Sequence, residues 1–325
     1  MKYKIPFLLF FFIVALQAKS QSYFYNNQVY ENPIIFEAGL SGGIMNSLTD
    51  IGGRKGKGTH GAKDLNWQVT TPCAGIFISG IYNGFLGLRL EGTTGRVQSH
   101  DSLLADVKET AIGRYNRNLS FRSPILEANL LLEFHPVDFF RFFDPDAIPP
   151  SFSPYIIGGV GYFHFNPQAN LNGQWIDLRP LHTEGEGFAE YPQSKEYSLN
   201  QINFSYGIGL GYGINDHWNI RLEYLARVLN TDYLDDVHGK YIDPAVFSKY
   251  LTGNELTDAL LLNKRIRPGA KPDETTQSPG SIRGNANDND SYFTISFKVG
   301  YMFGRQSVNS DNKRYLRSMR SPTRF

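Results

Sequence analysis

Cysteine is almost missing from this chain. Cys73 stands alone in 325 residues, which excludes an intramolecular disulfide framework and any multi-cysteine zinc or iron–sulfur centre. The alternating segment around it marks it as a lone apolar strand residue. Net charge is nearly missing too: 32 Lys+Arg stand against 31 Asp+Glu, a formal +1. A nucleic-acid binder would show a large basic excess, so no nucleic-acid partner is expected. Charged residues are only 19% of the chain, below the ~25% of an average soluble domain. Beyond the N-terminus no apolar run approaches the ~18 residues of a membrane helix, and the mean hydropathy is −0.33. The catalytic signatures Gly-x-Ser-x-Gly, Walker loop, His-Glu-x-x-His and dinucleotide fingerprint are all absent. No enzyme activity and no cofactor are expected.

What is plentiful is glycine, at 32 residues, and aromatic side chains, at 14%. That balance excludes disorder as the main state and favours β structure. The N-terminus has the three parts of a signal peptide: Lys2 and Lys4, the apolar stretch Ile5 to Leu16, and the small residues Ala18 and Ser20. Its apolar stretch is too short for a ~30 Å bilayer core. A chain exported in this way is either soluble or spans a membrane as strands.

Periodicity decides for strands. Ile202, Phe204, Tyr206, Ile208, Leu210, Tyr212 and Ile214 share one face, while Asn203, Ser205, Gly207, Gly209, Gly211 and Gly213 share the other. After the tight turn Asn215-Asp216-His217, Ile220, Leu222, Tyr224, Ala226 and Val228 alternate with Arg221, Glu223, Leu225 and Arg227. The two segments read as a hairpin whose Arg and Glu side chains lie over the neighbouring glycines. The same alternation runs through 36–44, 86–92, 126–134 and 293–303. Val69 to Tyr82 and Tyr155 to Asn166 read as strands with less definite facing. Eight strands with short turns at one end and long loops at the other predict an all-β fold: an eight-stranded antiparallel transmembrane β-barrel with long extracellular loops.

The expected organisation is a signal peptide over 1–20, a periplasmic segment over 21–33, an outer-membrane barrel over 34–303 and a basic periplasmic tail over 304–325. The long loops fall at about 46–67, 98–118, 167–199 and 229–289, with both termini periplasmic. The Val137–Phe143 aromatic cluster, in the link between the fourth and fifth strands, fits either a membrane-interface anchor or a plug under the barrel floor. In the last long loop Asp243-Pro244 is a helix start. Helices are expected over Ala245–Leu251 and Glu255–Leu262, with 264–290 polar and mobile.

The inward positions carry the candidate functional residues. Glu37, Glu91, Glu127, Glu133 and Glu223 face Arg89, Arg221, Arg227 and Lys298. Buried charges persist when paired, so this set predicts a self-neutralising lumen and a plugged barrel. Glu127 and Glu133 lie ~20 Å apart along one strand, too far to act as a glycosidase pair. Asp232, Asp235, Asp236 and Asp243 lack the EF-hand order for calcium and read as solvated or strand-capping carboxylates. His182 with Glu184 and Glu186, and His238 with Asp235, have the wrong spacing for a metal site, and none is expected. The tail holds Arg305, Lys313, Arg314, Arg317, Arg320 and Arg324 against Asp311. It is either a solvated extension or a docking segment for an acidic periplasmic partner.

Several stretches carry a family likeness: Asn118 to Ala128, Ser153 to Pro167, Leu178 to Gly185, Thr231-Asp-Tyr-Leu-Asp-Asp-Val237 and Arg283-Gly-Asn285. Together they resemble the PorG-like outer-membrane β-barrel family of Bacteroidota, over roughly 33–303. The resemblance implies an eight-stranded outer-membrane barrel without catalytic residues. It implies association with the type IX secretion or gliding machinery, with outer-membrane lipids and a periplasmic ring lipoprotein as partners. The alternative is a small porin-like or adhesion barrel acting through its outer loops.

Overall fold

The structure is a computed structural model that describes residues 34–52, 66–105, 112–143, 152–215, 217–270, 277–286 and 288–303. The expected signal peptide, the segment 21–33 and the basic tail lie outside the described residues. Ten strands follow in chain order: β1 (Ile34–Leu48), β2 (Thr71–Tyr82), β3 (Leu86–His100), β4 (Ser120–Phe134), β5 (Phe152–Phe165), β6 (Gln168–Leu171), β7 (Gln174–Asp177), β8 (Asn200–Gly213), β9 (Trp218–Leu229) and β10 (Ser291–Phe303). Among the described residues four short helices lie between them: α1 (Ile112–Arg117), α2 (Pro136–Phe142), α3 (Phe247–Tyr250) and α4 (Gly253–Asn263).

Each barrel strand pairs antiparallel with its sequence neighbour in the ring β1-β2-β3-β4-β5-β8-β9-β10, and β10 returns to β1. Closure leaves no strand edge with unpaired amides, which a water-free surrounding requires. The small hairpin β6–β7 stands outside the ring, within the 167–199 loop, where the sequence reading placed no strand. Strand bounds also shift, among them two at the less definite strands. Val69 belongs to a 3-10 turn over Trp67–Val69 rather than to β2, and β5 starts at Phe152 instead of Tyr155. The short turns follow from local chemistry. Asn83 and Gly84 both take positive φ (48° and 79°), the backbone of the tight hairpin turn that an Asn-Gly pair favours. The Asn215 side chain accepts the amides of His217 and Trp218 to fold the β8–β9 turn.

Period-two alternation sorts the walls. Leu40, Ile76, Leu88, Leu132, Ile156, Ile208, Leu222 and Phe297 all stand exposed on the outside. In β8 the apolar outer ladder runs from Ile202 to Tyr212. Those ten steps span ~33 Å along the strand, or ~25 Å of height at a ~40° tilt, the apolar thickness a transmembrane barrel needs. A continuous apolar exterior of this size is unstable in water and stable in lipid.

The long loops fold together at one end. Leu178, Leu181, Phe188, Ile242, Val246, Phe247, Leu251 and Leu262 form a second core, separate from the barrel and built wholly from loop residues. Asp243 caps the turn Pro244–Val246 through the Ala245 amide. The first helix starts later than the sequence suggests, at Phe247, and the second earlier, with Gly253 opening α4 instead of only separating two helices. The described parts of 264–290 are also folded: Arg283 and Gln277 are buried and the Arg267 amide donates to the Asn116 carbonyl. The remainder of that expectation, at 271–276 and 287, lies outside the described residues.

Candidate functional site: a sealed lumen and a folded loop cap

The strands aim their inward charges into one network. Arg89, on β3, is fully buried; its Nη1 donates to Glu223 (2.7 Å) and Glu91 (3.1 Å), and its Nε pairs with Glu133. Arg221, on β9, donates to Glu133 at 2.8 Å and pairs with Glu37 of β1 over the intervening β10. Lys298, on β10, contacts Glu91 and lies 2.8 Å from Glu223. Two to three ladder steps towards the long-loop end, Arg227 holds Glu127 (Nη2–Oε2, 3.0 Å) and donates to Thr294 (2.6 Å), while Asn203 donates to Glu127 at 2.7 Å. Each carboxylate thus has a cation within contact, the condition under which buried charge is tolerated.

Aromatic rings complete this layer. Phe77 and Tyr155 face the Arg89 and Arg221 guanidinium groups at 5.2–5.8 Å, and the Tyr155 hydroxyl donates to Glu223 at 2.7 Å. The glycines of β8 do make room, but for a different side chain than expected. Tyr155 of β5 fills the space over Gly209, while Arg221 of β9 turns towards Glu133 and Glu37. Space decides this: β8 and β5 are paired neighbours, and the ring needs the cleared floor more than a flexible guanidinium does.

Above the ionic layer the lumen turns apolar. Met45, Cys73, Val97, Phe121, Ile125, Phe163, Phe165 and Tyr292 pack with Ile51, Leu234 and Val237 of the loops. Cys73 is buried in this plug and free. Barrel interior and loop cap therefore share one core.

Beyond the plug lies a buried acidic cluster. Asp232, Asp235 and Asp236 are buried, contrary to the solvated reading; the pattern of the strands gave no signal for this because the contacts come from distant loops. Asp235 accepts the amides of Ile51 (2.9 Å) and Val237 (3.0 Å). Asp236 accepts the hydroxyls of Thr183 and Tyr197, both at 2.6 Å. Glu184 accepts the His238 and Gly239 amides and pairs with Arg283 at 2.9 Å. Asp101 takes both Arg117 Nε and the Gly52 amide. Burial pushes Asp235, Glu186 and Asp290 well above the usual carboxylate range, Asp232 to about 7 and Asp236 to about 6. The Asp232 carboxylate, at 2.8 Å, raises His238.

The metal-like pairs in the sequence do not assemble as such. His182 meets the backbone carbonyl of Glu186, and His238 meets Asp232 in place of Asp235. Among the described residues no group of three or more His, Cys, Asp or Glu side chains is placed to hold a metal ion. Asp243 serves as the helical cap already described. Arg117, Arg283, Asp50 and Asp290 tie four loops together; the sequence singled out only Arg283, in the Arg283-Gly-Asn285 stretch, and not these contacts, because the partners lie far away in the chain.

At the opposite end α2 straddles the rim. Asp138 accepts from Ser153 on the lumen side. Phe139 packs against Phe85 and the outward-facing Phe134, at 5.3 and 5.5 Å. Phe140 (71% exposed) and Phe143 stand outside the wall. Phe140 and Phe143 therefore stand clear of the barrel floor.

No protein-family model matches the sequence, and no curated protein matches it. Solved structures do. The attachment invasion locus protein Ail of Yersinia pestis, in complex with the heparin analogue sucrose octasulfate, aligns at 11% identity over 82% of this chain and 99% of its own, with a TM-score of 0.35. A major outer membrane protein of Thermus thermophilus aligns at 12% identity over 83% and 99%, with a TM-score of 0.34. The outer membrane protein OprG of Pseudomonas aeruginosa aligns at 14% identity over 83% and 95%, with a TM-score of 0.31.

Proposed function

We propose that this protein is a non-conducting outer-membrane barrel that serves as a rigid anchor, with its folded loop cap as the working surface. The carrying observation is the sealed lumen: the ionic layer around Arg89 and the Arg227–Glu127 pair beyond it are followed by the apolar plug of Met45, Phe163 and Phe165. A porin needs a hydrated path, and two consecutive layers of fully buried side chains oppose one. Purified protein in planar bilayers should therefore show no steady ion conductance; stable unitary currents would overturn the reading.

The finer assignment, an anchoring part of the type IX secretion or gliding machinery with a periplasmic ring lipoprotein as partner, rests on the resemblance of stretches such as Ser153–Pro167 and Thr231–Val237. The tail cations Arg305, Lys313, Arg314, Arg317, Arg320 and Arg324 are the segment assigned to that partner. Cross-linking from the tail should capture the ring component, and deletion should abolish export; normal export in the deletion strain would refute it. The adhesion reading is favoured by one observation of its own, the independent apolar core inside the loops. Such a core holds a shaped surface, which binding needs and simple closure does not.

A further inference from the structure

The outer wall is uncharged over most of the ring. The outward positions of β1, β2, β8, β9 and β10 carry no ionisable Arg, Lys, His, Asp or Glu. The outward ladders of β3, β4 and β5 differ at the long-loop end. There β3 continues from Leu90 to Arg96 and His100, β4 runs back from Leu126 to Arg122, and β5 ends on His164. Every outward Arg, Lys, His, Asp or Glu of the barrel strands is thus basic, and all sit on one flank, in its half towards the long loops.

Register brings them together. Arg96 pairs with Pro124, which places Arg122 at the diagonal position on β4, ~7–8 Å away between backbones. The Arg122 guanidinium lies 4.0 Å from the centre of the Trp175 ring, and its Nε donates to Gln168 at 2.8 Å. This fixes the side chain while leaving its terminal nitrogens unused among the described residues. Among the described residues neither Arg96 nor Arg122 has a carboxylate in ion-pair contact; Asp177, which acts on Arg122 from beyond that range, is engaged by Asn166 and Gln168. Arg265 adds a further cation beside Ser120.

We propose that this β3–β5 flank binds the phosphorylated headgroup of an anionic lipid in the leaflet at the long-loop end, with Arg96 and Arg122 as its ligands. The proposal rests on the membrane reading given above. The occupant follows from position and charge. The cations begin where the apolar ladders of Leu90, Leu126 and Tyr162 end, so acyl chains on those ladders bring a headgroup to the guanidinium forks. Arg is suited to phosphate because its fork donates two parallel hydrogen bonds. Trp175 beside Arg122 has the amphipathic ring that prefers the headgroup level.

The test incorporates the full chain into phosphatidylcholine nanodiscs doped with diphosphoryl lipid A and counts the lipids retained by native mass spectrometry. Wild type should retain lipid A in preference to phosphatidylcholine. R96Q/R122Q should weaken retention about fivefold per arginine, about 25-fold in all. K240Q/K249Q, which removes the same charge from the loops, should leave retention unchanged. Equal losses in both double variants, or no loss in R96Q/R122Q, would overturn the site. Displacement of the lipid by inorganic phosphate alone would overturn the lipid assignment. Failure of wild type to enter nanodiscs is read separately, from incorporation, and would remove the membrane reading itself.

Discussion

The Tyr155 ring occupies the space over Gly209 that a side chain there would need, and its hydroxyl reaches Glu223 beyond. A strand residue and a glycine on the neighbouring strand thereby set the width of the lumen at the ionic layer. Gly209→Val should lower stability by about 1–3 kcal/mol through overpacking, read as a lower thermal unfolding midpoint in detergent. Tyr155→Ala in the same chain should recover part of that loss. An unchanged midpoint in the single variant would show that the ring is not seated there.

Arg227 and Glu127 form the most isolated pair of the lumen. Removing one partner leaves the other buried and uncompensated, at a cost of about 3–5 kcal/mol. Arg227→Met and Glu127→Met should each show that loss, while the double variant should recover most of it. Additive losses in the cycle would mean that the two side chains act independently.

The loop cap should loosen as pH rises. Asp232 is raised from 3.8 to about 7 and Asp236 from 3.8 to about 6, so between the ordinary and the raised values the folded cap binds more protons than the unfolded one. Stability is therefore greatest below the ordinary value and falls as pH climbs through the raised ones. His238, raised by Asp232, acts in the same direction: its contribution is present below its ordinary value and is lost above the raised one. Amide exchange over 183–186 and 231–239, corrected for intrinsic rates, should show more protection at acidic than at alkaline pH. Asp232→Asn should shrink the difference; equal protection in wild type at both extremes would contradict it.

Phe140 and Phe143 should sit at the lipid interface. Phe140→Trp should give blue-shifted emission in vesicles, quenched most strongly by lipids labelled near the headgroup. Emission at the aqueous wavelength in properly inserted protein would count against the anchor.

Legibility followed the range of the interactions. The outer and inner faces of β8 and β9 could be read from Ile202 to Val228 because a strand's two faces alternate by geometry, whatever its neighbours. The tight turns could be read because Asn83-Gly84 and Asn215 act within a few residues of themselves. The loop helices were legible only roughly, since Gly253 can either break a helix or open one. The burial of Asp235 was not legible at all: the amide it satisfies at Ile51 is 184 positions away, and nothing in Thr231–Val237 encodes that distance.

The sequence by itself determined that eight amphipathic strands must close, that the charges face inward, and that the long connections share one end. Period-two alternation and local turn chemistry are properties of neighbouring residues, so the linear order contains them. Only the tertiary structure decided which carboxylate each cation meets, that an apolar plug closes the lumen above them, and that the loops bury a cluster of acids. Those outcomes depend on ring closure, which sets Arg221 beside Glu37 and Arg89 beside Glu223 across large sequence separations.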